Sequence, residues 1–294
     1  MRYWSTSSQA LPAVLVASLL GASMAGCITY EVYRGARVPR PLPAPTGSQG
    51  MTGGIEAGLS AGGFAEASAP AQGETDAGLY LPRVQGRADL RFQPVAGLSL
   101  GLLHERGFAA GSRALVKGTP EPDGDATGYG FSIGYSTPAG SGRWRAGVGI
   151  DAMLYQIPYI EYRIQIDGVG NEQYIEEQQG VSAQGVLALH MTSSYAMSER
   201  LAFTGGVTVR NHPTIERTGI ELGPGQGWDD VRNGPLNATL SAGVEYTHTN
   251  GVRASLLAYQ TVSGDPVRYY PALSAAITVP LVRRARTPEP GGSP

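Results

Sequence analysis

The sequence predicts an all-β chain that closes into a single up-and-down antiparallel β-barrel of about ten strands. Three observations carry this. Apolar residues recur at every second position along much of the chain. Tight and long connections alternate between the segments that do so. No convincing helical period appears from residue 51 onward.

The clearest segment is 236–247. Leu236, Ala238, Leu240, Ala242, Val244 and Tyr246 occupy one parity, and Asn237, Thr239, Ser241, Gly243, Glu245 and Thr247 the other. In 128–135, Tyr129, Phe131, Ile133 and Tyr135 alternate with glycine and serine. In 143–154, Trp144, Ala146, Val148, Ile150, Ala152 and Leu154 alternate with Arg143, Arg145, Gly147, Gly149, Asp151 and Met153. Side chains of a strand point to opposite faces in turn, so each segment has one apolar and one polar-or-small face. The same reading places strands at about 52–64, 85–93, 96–106, 127–137, 142–156, 179–193, 199–211, 236–248, 251–261 and 269–282. Each is about ten or more residues long, enough for a tilted strand to cross a bilayer.

The links are short after the second, fourth, sixth and eighth strands. Pro138-Ala139-Gly140-Ser141 forms one, and Thr249-Asn250-Gly251 another, with Asn-Gly suited to a type I′ turn. The first, third, fifth and seventh links run to about twenty residues of Gly, Pro, Asp and Glu. A meander built this way gathers all long loops at one end and all tight turns at the other. An even strand count puts both barrel termini at the tight-turn end. This arrangement resembles the outer-membrane β-barrels, which have short periplasmic turns and long external loops.

Composition narrows the function. The chain has 294 residues, 42 Gly, 21 Pro, 16% charged residues and a net charge of −2. No basic run marks a nucleic-acid surface. The single Cys, Cys27, excludes a disulfide framework and a thiolate-rich metal site. No metal or other cofactor is called for. No apolar run of about 18 residues follows the N-terminus, so no helical span is expected there.

Residues 1–26 read as a signal peptide, with Arg2 ahead of an apolar stretch from Leu11 to Ala22. Met24-Ala25-Gly26-Cys27 follows and resembles the lipobox of bacterial lipoproteins, with Met24 where Leu is usual. That resemblance implies diacylglycerol on Cys27, a palmitate-type lipid anchor, and, with Ile28 rather than Asp next, sorting to the outer membrane. Residues 27–50, rich in Pro and Gly, read as an extended tether that cannot bury a core. Residues 283–294 read as a disordered polar tail, in place of the aromatic strand end common in outer-membrane barrels.

The polar-or-small face is mostly Gly, Ser, Thr and Ala, too poor in charge for a water-facing exterior. It suits a narrow lumen, with lipid outside touching the apolar face. Tyr129, Tyr135, Trp144, Phe203, Tyr246 and Tyr269 lie near strand ends, as interfacial aromatic girdles do. The predicted lumen holds Glu56, Arg87, Asp89, Arg91, Arg143, Arg145, Asp151, His190, Arg200, Arg210, Glu245 and Arg253. Arg91, Arg143, Arg200 and Arg253 fall near the tight-turn end. They read either as a cationic ring attracting anions or, preferably, as partners of Asp89, Asp151, Glu56 and Glu245 in a filled interior.

Catalytic patterns are weak. Omptin-type proteases of this architecture use Asp pairs and Asp-x-His; Asp229-Asp230 is present, but Asp-x-His is not. Lipid A deacylase barrels use His-x-Ser; His190-Met191-Thr192 departs from it and faces the lumen. The expectation is therefore a non-catalytic, lipid-anchored outer-membrane barrel with periplasmic termini. It has a structural role or binds an unknown ligand through the loops at 157–178 and 212–235. The alternatives are a soluble, periplasm-facing lipoprotein barrel of lipocalin type with an apolar ligand inside, and a narrow anion-attracting pore.

Overall fold

The structure, a computed structural model, describes residues 29–44, 53–63, 67–68, 77–108, 113–114, 121–137, 142–166, 172–215, 231–263 and 268–282. Among these, every regular element is a strand: β1 (Thr29–Arg37), β2 (Ile55–Gly63), β3 (Ala67–Ser68), β4 (Ala77–Leu81), β5 (Val84–Val95), β6 (Leu98–Phe108), β7 (Arg113–Ala114), β8 (Thr127–Ser136), β9 (Trp144–Ile166), β10 (Glu172–Ala196), β11 (Leu201–Ile215), β12 (Val231–Thr247), β13 (Arg253–Ser263), β14 (Arg268–Tyr269) and β15 (Ala272–Val282).

Ten of them, β2, β5, β6, β8, β9, β10, β11, β12, β13 and β15, pair antiparallel in that order, and β15 pairs back onto β2. They are the ten strands expected from the alternation. Closure gives every strand two partners and leaves no edge, which a sheet surrounded by hydrocarbon requires. The seam carries a bulge between Pro280 and Val282, next to a proline that has no N–H for the ladder.

The apolar parity faces outward. Leu59, Leu102, Phe131, Ile150, Leu189, Leu240, Leu256 and Ile277, from eight different strands, are all exposed. Soluble monomers rarely expose more than a few hundred Å² of contiguous apolar surface, and this belt encircles the molecule. The soluble alternative required this row to face inward, and it fails on that point. At the tight-turn end the belt is rimmed by exposed Phe92, Tyr135, Trp144, Phe203 and Tyr246, with Trp144 and Tyr195 in contact at 4.9 Å between ring centroids. Phe108, Tyr129 and Tyr270 rim the other end. Tyr269 differs from expectation. It lies in the short β14, ahead of Tyr270 and Pro271, and packs against the inner cluster while Tyr270 faces out.

The link after β12 also differs in detail. The Gly251 amide donates to the His248 carbonyl, and Gly251 itself has φ 78°. Glycine thus follows the turn as a bulge residue rather than filling its centre, as in three-residue hairpin loops.

β9 and β10 outgrow the barrel. β8 stops pairing at Thr127 opposite Gln156, while β9 and β10 stay paired to Ile166 and Glu172. Residues 157–166 therefore rise about 33 Å beyond the point where β8 ends, at about 3.3 Å per residue. The sequence of 157–178 also reads as a hairpin extending the fifth and sixth strands with a turn near Asp167-Gly168, and these two residues lie outside the described ones. Past β8, the free edge of β9 needs new partners, and β1 supplies them from Ala36 opposite Tyr159 to Thr29 opposite Ile166. β4 then runs parallel to the other edge of β1.

This placement corrects the tether expected at 27–50. Thr29–Arg37 is a strand at the long-loop end, and residues 38–44 are all buried. The rule that both termini share the tight-turn end holds for Ile55 and Val282, the barrel's own ends, but not for β1.

Candidate functional site in the lumen

The lumen has two layers. Toward the loop end, Ala36, Val38, Leu81, Leu103, Met153, Tyr155, Ile157 and Val186 form a buried apolar cluster. Ala36 and Val38 come from the N-terminal segment and pack with residues of the other strands in this cluster.

The sequence of the segment explains how it can be buried. Val38-Pro39-Arg40-Pro41-Leu42-Pro43-Ala44 alternates proline with another residue. Each proline removes an amide donor that would otherwise need a partner away from water. The amide of Val38 donates to the Tyr80 carbonyl at 3.1 Å, that of Arg40 to Gln85 Oε1 at 3.2 Å, and that of Ala44 to Thr208 Oγ1 at 3.1 Å. Gln85 is at the loop end of β5 and Thr208 is midway along β11, so the segment descends into the barrel. The chain reappears at the other end, where the Gly53 amide donates to the Gln93 carbonyl at 2.6 Å and the Gln93 amide to that of Gly54 at 3.0 Å. Gly62 faces Leu42 closely enough that a Cβ there would lie 2.7 Å from Leu42 Cδ2.

Charged side chains fill much of the rest. Arg87 donates through Nη2 to Asp151 Oδ2 at 2.9 Å and through Nη1 to Glu105 Oε1 at 3.4 Å. The Tyr155 hydroxyl donates to Glu105, and the Arg210 guanidinium lies 5.8 Å from the Tyr155 ring centroid. Nearer the tight turns, Arg253 Nη2 donates to Glu56 Oε2 at 3.0 Å, with Nη1 3.7 Å from Glu245. Arg91 Nε lies 2.9 Å from the Asp89 carboxylate, two residues earlier on the same strand face. Buried ion pairs of this kind offset their desolvation only when several hydrogen bonds accompany them. Inward glycines make the room: a Cβ at Gly58 would lie 2.5 Å from the Asp89 carboxylate, and one at Gly128 would lie 2.6 Å from the Tyr155 ring.

Of the expected lumen residues, Glu56, Arg87, Asp89, Arg91, Asp151, Arg210, Glu245 and Arg253 are buried inside. Arg145 and His190 are half-buried, with His190 Nδ1 3.9 Å from Asp151. Arg143 and Arg200 are corrections. Both are exposed in the tight turns, where strand parity no longer sets direction. The cationic ring therefore does not form, since its other two members are paired with carboxylates. Glu105, Tyr155, Gln85 and Arg40 were missed. Glu105 shares the inward parity of Leu103, and both are buried.

Among the described residues, room remains at the inner wall. A cavity of about 40 Å³ lies among Arg87, Arg91, Ser132, Asp151, His190 and Thr192, enough for roughly three waters. Outside the lumen, Arg37 binds Glu121 at 2.9 Å and lies 3.7 Å from Asp125, which also accepts from Arg106 at 2.9 Å. These pairs fasten β1 to the loop ahead of β8. His104 stacks on Tyr129 at 4.7 Å on the outer face. Asp229-Asp230 and Cys27 lie outside the described residues. Among the described residues, no three His, Cys, Asp or Glu side chains gather as metal ligands would.

No family model matches this chain, and no curated protein matches it. Among solved structures it is similar to LpxR from Salmonella typhimurium, with 9% identity over 76% of this chain and 99% of that one, at a TM-score of 0.37. It is also similar to the NanC porin, with 8% identity over 76% of this chain and 97% of that one, at a TM-score of 0.32. At these scores the likeness extends no further than the barrel form.

Proposed function

We propose that the chain is a non-catalytic outer-membrane β-barrel, lipid-anchored through Cys27, whose role is carried by its loop-end surface rather than by transport through the lumen. The observation that carries this reading is the combination of a continuous apolar belt outside with an interior occupied by ion pairs and the 38–44 segment. The belt matches hydrocarbon, and the occupied interior argues against passage of a solute. The hairpin of β9 and β10, strengthened by β1 along its edge, offers a rigid platform for a partner, and rigidly held extensions are where binding surfaces concentrate. The narrow-pore alternative loses its support with the exposure of Arg143 and Arg200 and the pairing of Arg91 and Arg253.

The test is fractionation with gel mobility. The protein should be in the outer-membrane fraction, migrate faster unboiled than boiled, and incorporate labelled palmitate only when Cys27 is present. A Cys27→Ser variant should lose the label and remain in the membrane, held by its belt. Its release into the soluble fraction would overturn the barrel reading.

A further inference from the structure

We propose that the amino end of the mature chain is displayed on the same side of the membrane as the long loops, reached through the chain's own barrel. This rests on the outer-membrane reading above and deepens it by assigning the side on which Cys27 lies. Four observations lead there. Thr29 pairs with Ile166 at the far end of the hairpin, and Ala36 with Tyr159 at its base, so β1 descends toward the barrel. The Arg40 and Ala44 amides are bound by Gln85 and Thr208, side chains of the inner wall. Gly53 and Gly54 pair with Gln93 at the opposite end. The wall is closed, so the chain cannot leave it sideways.

The consequence for Cys27 is geometric. It precedes Thr29 by two residues, a reach of at most about 7 Å at about 3.5 Å per residue. An acyl group on Cys27 cannot lie in the leaflet at the tight-turn end while β1 is in place. The expected periplasmic anchor and the observed strand exclude each other, and the strand has eight paired residues, the Arg37 ion pairs and the buried 38–44 segment behind it. Cys27 therefore lies on the loop side, whether or not it carries an acyl group.

The experiment labels single added cysteines in intact cells with a membrane-impermeant maleimide. Tyr30→Cys and Glu31→Cys probe β1 from neighbouring positions, which face opposite sides of the strand. Asp123→Cys marks the loop end and Asn250→Cys the tight-turn end; both residues are exposed. Labelling at Asp123 and at one of the two β1 positions, with Asn250 labelled only after permeabilisation, is the expected result. Labelling of both β1 positions only together with Asn250 would overturn the inference and leave the barrel reading intact. If Asn250 labels in intact cells and Asp123 does not, the sidedness of the barrel is wrong, and the β1 positions must still follow Asp123. A second variant pair, Ala44→Cys with Thr208→Cys, should form a disulfide that retards neither assembly nor heat-modifiable mobility. Its absence in folded protein, with both thiols reactive after denaturation, would also refute threading.

Discussion

Replacing Leu240 and Ile150 by arginine tests what surrounds the barrel. Both residues lie midway along their strands on the outer face, 51% and 47% exposed. On a water-facing surface such changes alter stability by no more than about 0.5 kcal/mol. At the midplane of a membrane barrel each arginine costs about 2–4 kcal/mol. That corresponds to a loss of roughly 30- to 700-fold in the folded-to-unfolded ratio, at 1.4 kcal/mol per tenfold. β9 and β12 are three strand spacings apart, about 14 Å around the wall, so the two costs should add to about 4–8 kcal/mol. The assay is urea unfolding in lipid vesicles, read by the band that shifts on boiling, with each single variant beside the double. A double variant whose midpoint stays within about 0.5 kcal/mol of the parent would mean that these side chains do not meet hydrocarbon.

Three further outcomes follow from the lumen. Arg253→Met leaves the Glu56 and Glu245 carboxylates buried without their shared cation. It should cost about 3–5 kcal/mol in the same unfolding assay, and adding Glu56→Gln and Glu245→Gln should recover most of it. Gly62→Val drives side-chain atoms into Leu42. Trypsin should then cut after Arg37 faster than in the parent, and pairing the change with Leu42→Ala should restore resistance. In planar bilayers the intact protein should give no conductance steps, and deletion of residues 34–44 should produce them in protein that still shows heat-modifiable folding.

The wall was legible because alternation is a local property. The outward row through Leu240 needs only the period of two, and the ten strands follow from it with their order. What lies inside depends on what the wall encloses, and the local pattern does not say. A proline-alternating segment has the same composition in water as in a lumen. Only the surrounding donors and acceptors, Gln85 and Thr208 among them, make 38–44 a buried element. One signal was present. Met153 sits on the polar parity of its strand, as do Leu103, Val186 and Leu257, and all four are buried. Large apolar residues on an inner face require an apolar neighbour, which ion pairs alone do not provide. Arg143 and Arg200 were misplaced for the opposite reason, because parity was carried one residue too far into turns.

A barrel that holds its own N-terminal segment also constrains its assembly. The hairpin contacts are local, but the β2–β15 seam joins Ile55 to Val282, and Ala44 meets Thr208 across 164 residues. Closing so long a loop carries the largest entropic cost of these contacts, which favours its forming after the local hairpins. The 38–44 segment lies ten residues before β2, so it needs only to lie across the open inner face before the seam pairs. Insertion after closure would instead require the amino end to pass up a lumen already crowded by Arg87, Glu105 and Tyr155. The two orders separate when a small, stably folded domain is placed between the signal and Ile28. If the wall closes around the segment, the fusion should reach the heat-modifiable state as readily as the parent, with the domain accessible on the loop side. If the segment is threaded afterwards, the domain cannot pass the lumen, and the segment should remain open to trypsin after Arg37.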